Sequence, residues 1–129
     1  MKSVYFKLIF KVNAFLKNIM DKQLYKQAIE GTAAAGILEI LTPYIQYEKG
    51  VYIESVSLMN DDSSGKIIDI GIERGGIYFW IISVIMTTTK LYYRQELQVK
   101  LLPNERISVK GSSLGTTDTI KVIVIGEYL

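Results

Sequence analysis

Residues 66–86, KIIDIGIERGGIYFWIISVIM, decide the fold, because they contain two strand patterns separated by a turn. In 66–73, isoleucines at 68, 70 and 72 alternate with Asp69, Gly71 and Glu73, which is the period of a half-buried strand. Arg74-Gly75-Gly76 then predicts a turn. The apolar run 77–86 predicts a central strand covered on both faces, with Trp80 in the core.

Strand patterns continue on both sides of this stretch. Upstream, 37–41 ends at Thr42-Pro43, and 51–59 follows a turn at 48–50; downstream, alternation covers 91–101, 106–110 and 120–124. Seven or so short strands, with turn signals and no helical pattern between them, predict an all-β fold. We therefore expect an antiparallel β-sandwich, either jelly-roll or immunoglobulin-like, since the sequence does not distinguish the two connectivities.

The first 30 residues differ from the rest in pattern and charge. Val4, Leu8, Val12, Phe15 and Ile19 recur at steps of three or four, which favours an amphipathic helix over 4–22, with a strand over 4–12 as the alternative. Residues 1–30 hold six lysines and two acids, whereas 31–129 hold nine basic and eleven acidic side chains. The small-residue run 31–36 suggests a joint, so we predict a basic arm over 1–30 and a sandwich over 31–129.

The composition excludes most enzyme and metal chemistry. The chain contains neither cysteine nor histidine, which removes catalytic triads, Cys/His pairs and zinc sites with their usual ligands. Four carboxylates that could form a glycosidase pair are each expected on the solvent face of a strand: Glu54, Glu73, Glu96 and Glu105. We expect no catalytic residue, no metal and no cofactor. Asp61, Asp62 and Asp69, with Asn60, could offer oxygen ligands to a calcium ion, but they match no calcium-loop motif, and a solvated turn is expected there.

No secretory signal or membrane span is expected either. Lys7 and Lys11 interrupt the apolar N-terminal stretch, and the longest apolar run, 77–86, is shorter than the about 20 residues that a spanning helix needs.

Tyrosine residues suggest a binding surface. The body of the chain is net acidic, which argues against a groove that tracks nucleic-acid phosphates. Tyr44 and Tyr47, together with the apolar stripe Val4, Leu8, Val12, Phe15 and Ile19, are therefore predicted to form a protein interface. The basic segment could dock on its own sandwich, pack on a neighbouring subunit, or lie on an anionic membrane. Membrane binding is the least favoured, because the lysines are scattered.

Part of the chain resembles a known group of proteins. Residues 101–109 (LLPNERISV), 118–122 (DTIKV) and 126–128 (GEY), with Val51–Asn60 and the turn at Gly75-Gly76, resemble small β-sandwich proteins of tailed-phage virions, over about residues 33–129. That group includes capsid decoration proteins and tail-associated adaptors or fibres. The resemblance implies a structural virion component without catalysis, assembled in the host cytoplasm and contacting other virion proteins and further copies of itself.

Two other functions remain open. The chain could be a monomeric carbohydrate- or ligand-binding sandwich that uses exposed tyrosines. An enzyme is the third hypothesis, and it requires that the fold bring two of the four glutamates together in a pocket.

Overall fold

The computed structural model describes residues 23–34, 37–60, 66–86, 92–112, 114 and 118–129. They form eight strands: β1 (Leu24–Thr32), β2 (Leu38–Leu41), β3 (Val51–Asn60), β4 (Lys66–Arg74), β5 (Ile77–Met86), β6 (Tyr92–Leu101), β7 (Arg106–Ser112) and β8 (Thr119–Tyr128). The predicted all-β fold is confirmed. The predicted helix over 4–22, and with it Val4, Leu8, Val12, Phe15 and Ile19, lies outside the described residues.

The eight strands form two antiparallel four-stranded sheets. Sheet I has the order β1-β8-β3-β6 and sheet II the order β2-β7-β4-β5. Along the chain, the strands alternate between the two sheets except at the β4–β5 hairpin. The last strand, β8, lies beside the first, β1. This is the strand order of a jelly roll, which is built from two Greek keys. An immunoglobulin-like domain pairs its strands in a different order, with four strands in one sheet and three in the other, so this alternative is excluded.

Alternating side chains from the two sheets fill the core. In the regular parts of the strands, every second residue points inward, as the backbone pleat requires. Of the isoleucines predicted to face inward in β4, Ile68 and Ile70 are buried and Ile72 is half-buried; the alternating residues Ile107 and Val109 of β7 and Ile120, Val122 and Val124 of β8 are buried. Burying each of these side chains contributes about 1.5–3 kcal/mol.

The turn between β4 and β5 is the predicted one. Gly75 and Gly76 have φ angles of +57° and +83°. A two-residue hairpin with positive φ at both central positions is a type I′ turn, whose twist matches that of the flanking strands. Glycine adopts these angles without the steric cost that a Cβ atom would impose.

The predicted domain boundary between residues 30 and 31 falls inside a strand. β1 pairs with β8 along its whole length, from Leu24 opposite Glu127 to Thr32 opposite Thr119. Gly31 lies in this ladder, where a Cβ atom would be 2.9 Å from the side chains of Leu38 and Ile40. Gly31, read from the sequence as the start of a joint, therefore provides close packing between β1 and β2.

The prediction that 77–86 is a central, doubly covered strand is wrong. β5 is the outer strand of sheet II, and most of its side chains are exposed. Trp80, predicted in the core, is 45% exposed. An apolar run indicates that a strand is to be covered, but it does not say whether the covering atoms belong to the same chain.

A buried ion pair joins the first residue of β4 to the chain just before β8. The Lys66 ammonium lies 3.1 Å from the Asp118 carboxylate, with side-chain exposures of 0% and 3%. The ammonium also donates to the Asn60 side-chain oxygen.

Among the residues that the structure describes, no helix has the length and apolar character that a transmembrane span requires.

Candidate interaction surface

The outer strand of sheet II forms an exposed apolar surface, with side chains on both faces of the strand. It consists of seven large side chains, which we call the β5 surface: Ile67 of β4 and Ile77, Tyr78, Phe79, Trp80, Ile81 and Ile85 of β5. Ile67 joins the others because it is paired with Ile85 in the β4–β5 ladder. Ile85 is 64% exposed, although isoleucine is among the residues most often buried. Exposed apolar surfaces are common at interaction sites, so the β5 surface is a candidate for one.

The other three edges of the sandwich carry features that discourage pairing with another chain. β1 carries Lys26 and Glu30, β2 is only four residues long, and β6 carries charged residues at 94, 96 and 100. Charges and short length are the usual protections of an exposed edge. β5 has ten residues with neither a charge nor a proline, so among the described edges it alone lacks them. Its one irregularity is a bulge at Ile81.

The aromatic side chains of the β5 surface are held in place. The rings of Tyr78 and Trp80 stack with centroids 5.2 Å apart and an interplanar angle of 13°. Trp80 pairs with Gly71, where a Cβ atom would be 2.8 Å from the indole ring. The Tyr78 hydroxyl donates to the Glu39 carboxylate at 2.7 Å. Rings that are already ordered lose less conformational entropy when a partner binds.

A buried carboxylate anchors the neighbouring part of sheet II. Glu73 is 3% exposed, and it accepts hydrogen bonds from the Gly76 N–H at 2.8 Å, the Arg106 guanidinium at 2.6 Å and the Tyr44 hydroxyl at 3.1 Å. The Arg106 guanidinium also lies over the Tyr44 ring, 4.1 Å from its centroid. The expectation that Glu73 faces solvent is therefore wrong, because Tyr44 and Arg106, from distant segments, cover it.

These contacts shift the pKa values of Glu73 and Tyr44. The Gly76 N–H, with smaller contributions from Arg106 and Tyr44, holds the pKa of Glu73 below its usual value, although burial opposes the shift. The hydrogen bond to Glu73 raises the pKa of Tyr44.

Substituting Glu73→Gln is expected to remove an acid-dependent part of the stability. Because the folded-state pKa of Glu73 is lowered, its ionised form stabilises the fold fully above the ordinary pKa of 4.5, and this contribution is lost as the pH falls through the folded-state value. The melting temperature of the wild type should exceed that of Glu73→Gln between pH 6 and 8, and the difference should shrink below about pH 4.5. A difference independent of pH from 7 to 3 would contradict this role of Glu73.

The predicted interface residues Tyr44 and Tyr47 lie together on a different part of the molecule. Both are exposed, by 39% and 43%, and both border an open groove of about 440 Å³. We call it the tyrosine groove; it is lined by Tyr25, Gln27, Pro43, Tyr44, Ile45, Gln46, Tyr47, Val51 and Tyr128. It lies where β1, the β2–β3 connection and the end of β8 meet. None of the described residues that line it is charged.

Two of the four glutamates considered for catalysis do share a hollow. Glu54 and Glu96 line a depression of about 260 Å³ on sheet I, together with Tyr52, Arg94 and Gln98. Both carboxylates are exposed, whereas a carboxylate acting as general acid needs an apolar environment that favours its neutral form. Glu105 accepts from the Leu102 N–H at 2.7 Å and so supports the turn before β7. The geometry therefore does not favour a glycosidase site, and the absence of enzymatic activity stays a prediction.

Within the described ranges, no three acidic side chains lie close enough together to hold a metal ion. Asp61 and Asp62, considered for calcium, lie outside those ranges.

Sequence reasoning missed the residues of the β5 surface. The signal that could have found them is the complete absence of charge over 77–86, which contrasts with the charged residues in β1 and β6. Such a run fits an edge strand covered by a second molecule as well as it fits a central strand.

No family model matches the chain, and no curated protein sequence matches it. Among solved structures, the chain is similar to PirA, at 12% identity over 76% of this chain and 92% of that chain, with a TM-score of 0.52. It is also similar to a chain of the disulfide-linked Bacillus endospore appendage pili, at 20% identity over 84% of this chain and 88% of that chain, with a TM-score of 0.49. A further similarity is to the capsid of Helicobacter pylori bacteriophage KHP30, at 13% identity over 83% of this chain and 93% of that chain, with a TM-score of 0.46. At 12% identity, the similarity to PirA shows a shared fold and nothing finer.

Proposed function

We propose that the chain is a non-enzymatic structural subunit that assembles through the β5 surface, and that it belongs to the virion of a tailed phage. The observation that carries the assembly part is the ten-residue outer strand without charge or proline, in a sandwich whose other described edges are charged or short. An uncovered strand of this kind promotes edge-to-edge association.

The occupant that we propose for the β5 surface is β5 of a second copy. Antiparallel pairing of a strand with itself is compatible with a two-fold axis, so each copy presents the same surface to the other. Because β5 is uncharged, self-pairing brings no like charges together. The same pairing of β6 would bring the charged residues of two copies near each other.

The size of the β5 surface fits such an interface. Its three aromatic side chains offer about 150–250 Å² each and are exposed by roughly half, so they present on the order of 300 Å², to which the four isoleucines add. A standard interface buries roughly 800 Å² per partner, whereas the largest apolar patch of a typical monomer is about 300–600 Å². Pairing of the two β5 strands would also join the two copies of sheet II into one eight-stranded sheet.

The virion assignment is supported by the residue-level resemblance over about 33–129 and by the division of charge along the chain. Residues 1–22 contain five lysines and a single acid, while the body that follows is net acidic. This asymmetry suits an N-terminal arm that binds an acidic surface of a capsid or tail neighbour.

Particles released from the producing host test this role. We expect the full chain to co-purify with the particles through a density gradient, in a fixed number of copies per particle. Deleting residues 1–22, which leaves β1 intact, should reduce that number by about tenfold, which corresponds to about 1.4 kcal/mol of docking free energy.

The two parts of the proposal fail separately. A chain found only in the soluble fraction would contradict the virion role. An unchanged copy number after the deletion would contradict the arm and leave assembly through β5 intact. Near-ultraviolet circular dichroism of the shortened chain serves as the control for correct folding.

A further inference from the structure

We infer that the tyrosine groove binds a short, uncharged glycan, a function separate from assembly through the β5 surface. The inference is carried by the shape of the groove, the fixed orientation of its rings and the chemistry of its polar groups.

The groove presents aromatic rings in a preset arrangement. The Tyr128 ring packs edge-to-face with the Tyr25 ring, at 5.6 Å and 81°, and with the Tyr47 ring, at 5.5 Å and 82°. The Tyr128 backbone N–H is bonded to the Gln23 carbonyl at 2.9 Å, which fixes the strand that carries the central ring. Tyr44, at the other side, is held by Glu73 and Arg106. A ligand therefore meets rings that need little reordering.

The polar groups of the groove are neutral. Gln27 and Gln46 contribute amides, each with two N–H donors and an acceptor oxygen, and tyrosine hydroxyls add groups that both donate and accept. The nearby charges of Glu73 and Arg106 are paired with each other. Among the residues that the structure describes, the groove consequently offers no unpaired cation to a phosphate or carboxylate ligand.

A sugar combines the two properties that the groove provides. Its ring has C–H faces that pack on aromatic rings, and its hydroxyls both donate and accept hydrogen bonds. Ligand sites join apolar aromatic walls with a few placed polar groups in this way, and the volume of about 440 Å³ falls within their usual range of about 300–1,000 Å³. A nucleic acid carries phosphates for which the described lining of the groove offers no charge.

The test is binding of the full chain to a panel of neutral and sialylated oligosaccharides, followed by titration calorimetry with the best binder. We expect at least one neutral oligosaccharide to bind saturably. Tyr47→Ala should weaken it by about tenfold or more, because the substitution removes an exposed ring that packs on Tyr128. Gln46→Ala, an exposed polar truncation, should also weaken binding without threatening the fold.

A matched control is Tyr92→Ala, which removes an exposed tyrosine from β6, outside the groove. Its affinity should stay within about twofold of the wild type, an effect below about 0.4 kcal/mol. Failure of every neutral oligosaccharide to bind would overturn the inference, as would preferential binding of sialylated ones. Equal affinity of the wild type, Tyr47→Ala and Gln46→Ala would overturn it as well. Residues 1–22 precede Gln23, whose carbonyl accepts from the Tyr128 N–H, so binding seen only after their removal would assign the groove to this segment and reject the glycan.

Discussion

Replacing Asp118 by alanine is expected to lower the free energy of unfolding by about 3–5 kcal/mol. The Lys66 ammonium is fully buried and lies 3.1 Å from the Asp118 carboxylate, so the substitution leaves a positive charge in the core without its anion. The other acceptor that the described residues offer this ammonium, the Asn60 side-chain oxygen, is neutral. Urea denaturation of the full chain, followed by circular dichroism at neutral pH, measures the loss.

A double substitution serves as the control for this prediction. Replacing both partners, Lys66→Met with Asp118→Leu, removes the charges together and keeps apolar volume, so its cost should be much smaller than that of Asp118→Ala alone. A loss below about 1 kcal/mol for Asp118→Ala would mean that the ammonium finds another anion or water, and that the pair does not stabilise this end of the sandwich.

Substituting Ile85→Lys is expected to abolish association of two copies through the β5 surface. The new ammonium would be desolvated against the partner strand, and the two-fold axis would bring two copies of it into one interface. We expect the dissociation constant of the dimer to rise at least about 100-fold, or about 2.7 kcal/mol, in sedimentation equilibrium of the full chain.

Leu24→Lys provides the matched control. Leu24 is exposed to the same extent as Ile85, 65% against 64%, but it belongs to β1 at the edge of sheet I. This variant changes charge and hydrophobicity identically and should leave the association unchanged. Equal weakening by both substitutions would point to a general effect of charge, and no weakening by either would remove the β5 surface from the interface.

The features that the sequence predicts correctly are those set by backbone geometry over short distances. The period of two places Ile68 and Ile70 on one face of β4 wherever that strand pairs. The two glycines at 75 and 76 adopt positive φ angles that few other residues tolerate. Both rules act within a few residues, so they need no knowledge of the rest of the chain.

The features that it predicts incorrectly depend on contacts between distant segments. Glu73 is buried because Tyr44 and Arg106 approach it from the β2–β3 connection and from β7. Trp80 is exposed because β5 has β4 on one side and no strand of the described residues on the other. The jelly-roll connectivity likewise depends on the pairing of β1 with β8. The local pattern of neither strand indicates which strand it pairs with.

The candidate surfaces were predictable in part. The sequence predicts Tyr44 and Tyr47 as surface residues because they are aromatic, and the structure places both on the tyrosine groove; their role as an interface stays a prediction. The other walls of that groove come from β1 and β8, which lie at opposite ends of the described chain. Their convergence could not be read from spacing.

Amide hydrogen exchange of the full chain tests the central claim, pairing of β5 with β5 of a second copy, most directly. The β5 amides that are not bonded to β4 are compared at high and low protein concentration, with the outer amides of β1, β2 and β6 as reference edges. The account predicts that the outer β5 amides are protected at high concentration and lose this protection on dilution, while the reference edges exchange rapidly throughout. Outer β5 amides that exchange as fast as those of the other edges at every concentration would contradict it.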